Sequence, residues 1–325
     1  VEEEGISNAN KLAVRYLTKH LVGRPVKRIV RPITQPPFIY YHSRFGDKWN
    51  VFNKDWDLLI VLDTCRPDAL HQLRDEYGFI NNVDSVWSVG SSSSEWVLNT
   101  FNKKYESEIS DTAYISSNPY SHRILKNNFN NPHLGYTKLV TKRLKKYAAT
   151  FPVDTTAFHS CNFLWEPSAD YGPTRYPSPR SVTNHAINLD RSEDSPPRMI
   201  LHYMPPHSPY IARLINGEIE FGEPRHGFDA YLDNLRWGLN EVSLLIDNVN
   251  RDKVVITADH GENFRLKPIR SGHTPGMITP AVRQVPWVKT SANDKETHNP
   301  DLSQINKKSK TTDVEETLEA LGYIS

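Results

Sequence analysis

Three uninterrupted apolar runs constrain what this chain can fold into more than any other feature. They are Trp56-Asp57-Leu58-Leu59-Ile60-Val61-Leu62-Asp63, Arg198-Met199-Ile200-Leu201-His202-Tyr203-Met204 and Lys253-Val254-Val255-Ile256-Thr257-Ala258-Asp259. A strand with one wet face alternates apolar with polar residues; runs without alternation, rich in Leu, Ile and Val, read as strands buried on both faces. Thr112-Ala113-Tyr114-Ile115-Ser116 is a weaker candidate of the same kind. Between the second and third runs, residues 229–249 put Leu232, Leu235, Leu239, Val242, Leu245, Ile246 and Val249 on the three-four spacing of one helix face. Buried strands joined through a helix imply parallel crossovers and a sheet covered on both sides. The expected fold class is therefore α/β, a central mostly parallel sheet sandwiched between helices. In such sheets chemistry collects at the carboxyl ends of the strands.

Composition bears on partners and location. The chain has 325 residues, 38% hydrophobic and 24% charged, enough to bury a large core without staples. A formal net charge of +1 argues against bulk nucleic-acid binding, which calls for a strongly basic face. Two cysteines, Cys65 and Cys161, define no disulfide framework. No stretch approaches the roughly 18 consecutive apolar residues of a membrane span, and no signal pattern opens the chain, so a cytoplasmic location is expected. Residues 1–50 differ from the rest: 10–22 fit a short amphipathic helix, and 24–32 form a basic segment bounded by prolines. The basic segment reads as an extended arm with solvated charges, or as a contact for an anionic partner. The expected division is an N-terminal arm over 1–50 and a catalytic domain over 51–325.

Two of the runs end on the same chemistry. The first ends at Asp63, followed by Thr64-Cys65-Arg66-Pro67-Asp68, and the last at Asp259-His260-Gly261-Glu262-Asn263. A carboxylate terminating a buried strand is costly unless compensated, so a cation is expected beside it. Each Asp taken singly also suits a helix cap. Two carboxylates with an imidazole suit a divalent cation with mixed oxygen and nitrogen ligands, be it Ca, Mn, Zn or Mg.

The ordered set of motifs is similar to the sulfatase-like branch of the alkaline phosphatase superfamily. Asp63-Thr64-Cys65-Arg66-Pro67-Asp68 resembles its D-T-x-R-x-D opening, and Asp259-His260-Gly261-Glu262 its D-H-G-E element. Pro206-His207-Ser208-Pro209-Tyr210 resembles P-H-x-P-Y, and Leu318-Glu319-Ala320-Leu321-Gly322-Tyr323 the way such chains end. The resemblance runs from Asp55 to the C-terminus and implies an alkaline phosphatase-like core that acts on phosphate or sulfate esters.

It also implies roles. Ser88-Val89-Gly90-Ser91-Ser92-Ser93-Ser94-Glu95-Trp96 resembles the family's nucleophile segment and aligns Ser93 with a metal-bound nucleophile, with Ser92 and Ser94 as fallbacks. Asp63, Ser93, Asp259 and His260 would hold the metal. His207 and His273 would face the substrate or leaving group. Arg66 would clamp the anion's oxygens, or else pair with Asp68. Cys65-Arg66-Pro67 begins the formylglycine pattern of type I sulfatases, but Ala69 stands where Arg is needed, so Cys65 reads as a structural thiol. For a second metal, His226, Asp229 and Asp233 are available, yet both Asp residues fall on exposed helix faces; a one-metal site is expected. Residues 171–198 are dense in Pro and read as loops over the sheet, where substrate selection resides. The expected activity is metal-dependent hydrolysis of a small-molecule or glycan ester. The alternatives are a phosphoglycerol- or phosphoethanolamine-type transferase on a glycan or lipid, and a non-catalytic relative that binds an anionic glycan. Substrate and oligomeric state stay open.

Overall fold

In the computed structural model the described residues are 37–41, 44, 46–126, 152–167, 169–172, 175–215, 227–264 and 272–300. The expected helix over 10–22, the basic segment over 24–32, His226 and the closing motif at Leu318 to Tyr323 lie outside them. The described part of the N-terminal arm packs down: Ile39 is buried, and the Asn50 amide donates to the carbonyls of Asn99 and Thr100, both at 3.1 Å.

The described strands are β1 (Leu58–Leu62), β2 (Asp84–Trp87), β3 (Thr112–Ser116), β4 (Ser160–Phe163), β5 (Arg198–Tyr203), β6 (Arg251–Thr257) and β7 (Gln284–Ala292). They form one sheet in the order β2-β7-β6-β1-β5-β3-β4. The pairs β1–β5, β1–β6, β3–β5 and β3–β4 are parallel, while β6–β7 and β2–β7 are antiparallel. The mostly parallel α/β sheet expected from the apolar runs is what the chain builds. The runs without alternation became β1, β5 and β6, and β1 is buried at all five positions.

The principal helices are α1 (Pro67–Leu73), α2 (Ser93–Thr100), α3 (Pro179–Asp190), α4 (Phe228–Ile246) and the short α5 (Pro280–Arg283). Period-two geometry sends alternate β1 residues to opposite faces. Leu58, Ile60 and Leu62 join Val182 and Ile187 of α3 and Leu235, Leu239 and Val242 of α4 in one core. Leu59 and Val61 meet Trp96 and Val97 of α2, with Phe52 and Phe101, in the other. The helix expected over 229–249 stops at Ile246, where the Asp247 amide turns back to Ser243 and Leu245; Val249 is buried beyond it. Tryptophans distant in sequence (49, 87, 96 and 287) line one cavity of about 220 Å³ between β2, β7 and α2. Among the described residues no helix is long and apolar enough to cross a membrane.

Candidate active site

Asp63 leaves β1 at its carboxyl end, where β1 lies between β5 and β6. The next residue, Thr64, has φ +67, a left-handed conformation that costs a β-branched side chain. That turn aims the Thr64 amide at Asp259 Oδ1, 3.2 Å away, and the His260 amide donates to the same oxygen at 2.8 Å. One oxygen of Asp259 is thus saturated by backbone, which leaves Oδ2 facing the other side chains. Asp63 is arranged the same way. Its Oδ2 accepts from Asn118 Nδ2 at 2.6 Å and from Ser93 Oγ at 3.3 Å. Its Oδ1 is buried with no hydrogen-bond partner, as is Asp259 Oδ2.

His260 completes the cluster. Its Nδ1 lies 2.9 Å from the Gly261 carbonyl, which can only accept, so Nδ1 carries the proton and Nε2 presents a lone pair. That Nε2 is 3.4 Å from Asp259 Oδ2 and 3.7 Å from Asp63 Oδ1. One ligand atom from each of Asp63, Asp259 and His260 lies within 4.8 Å of the others, the one such group among the described residues. Orphaned carboxylate oxygens converging with an imidazole lone pair fit a divalent cation. Burial, and then the negative Asp259, push the Asp63 carboxyl well above the ordinary carboxylate range. Burial acts the same way on Asp259, but His260 and His202 outweigh it and hold its carboxyl below that range. Burial lowers His260 to about 4, so the ring is neutral and competent as a ligand near pH 7.

Of the four consecutive serines, the fold turns one toward this cluster. Ser92 is the N-cap of α2 and accepts from the Glu95 amide at 3.3 Å, while its hydroxyl meets that of Ser94 at 3.0 Å. Ser91 is bound to Glu95. Ser93, the first helical residue, places Oγ 3.3 Å from Asp63 Oδ2 and 3.4 Å from His260 Nε2. The approach to it needs Gly90, where a Cβ would sit 2.4 Å from the Trp96 amide nitrogen.

Beside the cluster stand the other two histidines singled out by sequence. His273 lies over His260 at 4.3 Å between ring centroids, and His207 lies 5.3 Å from His273. His273 Nδ1 is 2.9 Å from Glu262 Oε2, and His207 Nδ1 is 2.5 Å from the Ser208 carbonyl. Each ring therefore has one nitrogen fixed by an acceptor and Nε2 turned away from it. Burial, and after it His273, lowers His207 to about 4.

Arg66 is paired with Asp68, the second of the two arrangements expected for it. Its guanidinium is held by Asp68 through Nε at 2.8 Å and Nη2 at 2.5 Å, and Nη1 reaches the Glu262 carbonyl at 3.0 Å. The loop before α1 is thereby tied to the loop after β6. Cys65 is buried, and burial pushes its thiol far above the ordinary range.

Three participants carried no assignment from sequence. Asn118 follows β3 and orients Asp63. His202, the polar residue inside the second apolar run, is fully buried in β5, with Nδ1 2.9 Å from the Tyr114 hydroxyl and Nε2 3.6 Å from Asp259 Oδ2. Glu262 belongs to a quoted motif, but its hold on His273 needed the fold.

The fold and site define an α/β protein with a buried carboxylate–imidazole cluster and one serine hydroxyl at the carboxyl edge of its sheet. The sequence matches no protein-family model and no curated protein. Among the solved structures that resemble it are phosphoethanolamine transferase domains and sulfatases, each at low sequence identity. The C-terminal periplasmic domain of EptC from Escherichia coli, solved with Zn, is 12% identical over 77% of this chain and 78% of its own, with a TM-score of 0.41. The soluble domain of lipooligosaccharide phosphoethanolamine transferase A from Neisseria meningitidis is 14% identical over 74% and 77%, with a TM-score of 0.41. A 2-O GAG sulfatase is 13% identical over 73% and 64%, with a TM-score of 0.35.

Proposed function

We propose that this chain is a metal-dependent hydrolase of phosphate or sulfate esters in which Ser93 Oγ attacks phosphorus or sulfur. One observation carries the reading. Of the serines at 91–94, only Ser93 faces the two carboxylates and the imidazole, and it does so from the first residue of α2. Asp63, Asp259 and His260 would hold a divalent cation, which when bound supplies Lewis-acid polarisation of the ester and of the attacking hydroxyl.

The chain's own residues do the rest. Ser93 Oγ lies 3.3 Å from Asp63 Oδ2, which accepts its proton as the oxygen attacks. The bond to the alcohol oxygen breaks, and that oxygen takes a proton from His273, whose other nitrogen Glu262 holds in place. Ser93 then carries the phosphoryl or sulfuryl group as an ester; water attacks it and returns a proton to His273, and the Ser93 oxygen leaves with the proton it first gave up, freeing the anion. The α2 N-terminus presents amides and the positive end of a helix dipole to the transferred anion.

The test is turnover of aryl phosphate, phosphodiester and aryl sulfate with Mn, Zn, Mg or Ca, before and after chelation. Ser93→Ala and Asp259→Ala are each expected to lower kcat at least a hundredfold. Full turnover in Ser93→Ala would sink the proposal. Recovery of the group on an added glycan or glycerol hydroxyl, with no free anion, would make the chain a transferase instead.

A further inference from the structure

Glu95 is fully buried three residues into α2 and takes part in none of the steps above. A Ser-x-x-Glu helix start such as Ser92-Ser93-Ser94-Glu95 ordinarily closes a capping box, in which the glutamate reaches back to the N-cap amide. Half of that box is present, since Ser92 Oγ accepts from the Glu95 amide. The carboxylate goes elsewhere. Its Oε2 accepts from the amide of Ser91 at 2.8 Å, one residue before the cap, from Ser91 Oγ at 2.7 Å, and from the Gly276 amide at 3.2 Å.

Gly276 lies three residues beyond His273, on a loop 181 positions away in sequence. The same loop meets Ser91 twice more: the Met277 amide donates to Ser91 Oγ at 3.0 Å, and that hydroxyl has the Thr274 carbonyl as a second acceptor at 2.8 Å. Behind the carboxylate, Arg283 Nη2 stands 3.7 Å from Glu95 Oε1, both groups fully buried. The rest of that guanidinium donates to the Met277 carbonyl at 3.0 Å and the Ser88 carbonyl at 3.2 Å. One buried acid–guanidinium pair thus fastens the segment leading to Ser93 onto the segment that carries His273.

From this we infer that Glu95 is a positioning residue, the clamp that sets the separation between the attacking Ser93 hydroxyl and the His273 imidazole. This rests on the roles proposed above for those two residues. The physical warrant is the steepness of positioning: a displacement of about 1 Å in a reacting group can cost about 10²-fold in rate. A capping box touches one helix, and its loss would loosen α2 alone. A clamp spans two loops, and its loss would move them relative to each other.

The experiment uses the full chain with Glu95→Gln, which keeps volume and one carbonyl acceptor, and Glu95→Ala as the larger change. Glu95→Gln is expected to lower kcat for an aryl phosphate ten- to a hundredfold while KM stays within about threefold, with Glu95→Asp recovering less than a tenth of the loss. The activity-independent readout is backbone hydrogen exchange. Amides at Ser91 and at Gly276 should lose protection together in Glu95→Gln, while those of β1 and β6 keep theirs. Loss of protection at Ser91 alone would show a helix cap and overturn the clamp, as would unchanged kcat in Glu95→Gln. If the wild-type chain turns over no ester, the catalytic reading fails, yet the exchange result still decides whether Glu95 couples the two loops.

Discussion

Asn118 sits at the turn after β3 with both ends of its amide committed. Oδ1 accepts from the Tyr120 amide at 2.8 Å, and Nδ2 donates to Asp63 Oδ2 at 2.6 Å. A neutral donor on one oxygen leaves the other free to face a cation, which is how partners behind a ligand tune its affinity. Asn118→Ala is expected to weaken Mn or Zn binding about tenfold or more in titration calorimetry. Equal affinity would mean that Asp63 is oriented without it. Gly261 shows a different constraint, because a Cβ there would lie 2.3 Å from the Ala281 carbonyl, and its own amide already donates to Val282 at 2.8 Å. Gly261→Ala should cost about 1–3 kcal/mol in urea denaturation by forcing α5 outward; a midpoint equal to wild type would show that α5 yields freely. The residues of the site differ in how far sequence revealed them. Asp63, Asp259 and His260 were legible because a charge ending a buried strand has few cheap explanations. Asn118 and His202 were not, since a lone neutral polar residue at or in a strand is commonly structural.

Among the elements, the parallel strands were legible and the antiparallel margin was not. β1, β5 and the second half of β6 are buried and show it as apolar runs, whereas β7 carries Pro286, Lys289, Thr290 and Ser291, which break any such run. β2, at the sheet margin, has two exposed residues of four and no run to see. Past β7 the chain is pinned by Arg191, just after α3, which donates to both oxygens of Asp294 at 2.7 Å and to the His298 carbonyl at 2.9 Å. The Arg191 hydrogen bonds hold the Asp294 carboxyl below its ordinary value. A depressed carboxyl stabilises the fold above its unfolded-state pKa of about 3.9, and that contribution disappears as pH falls through the lower folded value. Asp294→Asn should therefore lower stability by up to about 1 kcal/mol at pH 7, and the gap from wild type should narrow as pH falls below about 4. A gap that persists unchanged in acid would locate the effect in packing.

At the scale of the whole molecule, the site has no local origin. Asp63 follows β1, Ser93 opens α2, Asn118 follows β3, His202 lies in β5 and Asp259 follows β6. Thr64 and the Asp259 carboxylate that it meets are 195 positions apart. A cation held by such a set binds the assembled sheet and nothing smaller, so occupancy should raise the stability of the entire fold by about 2.7 kcal/mol at a hundred times Kd. The melting temperature of the wild-type chain is expected to climb with added Mn or Zn, and that of Asp259→Ala to stay flat. A wild-type midpoint indifferent to the ion would break the link. The left-handed turn at Thr64 carries this into the order of synthesis. Its amide leaves the ribosome long before the carboxylate that it will hold, and the backbone strain there is repaid only when β6 arrives beside β1. A nascent chain thus carries half a site, and under the metal role proposed above affinity for the ion would distinguish finished molecules from partly made ones.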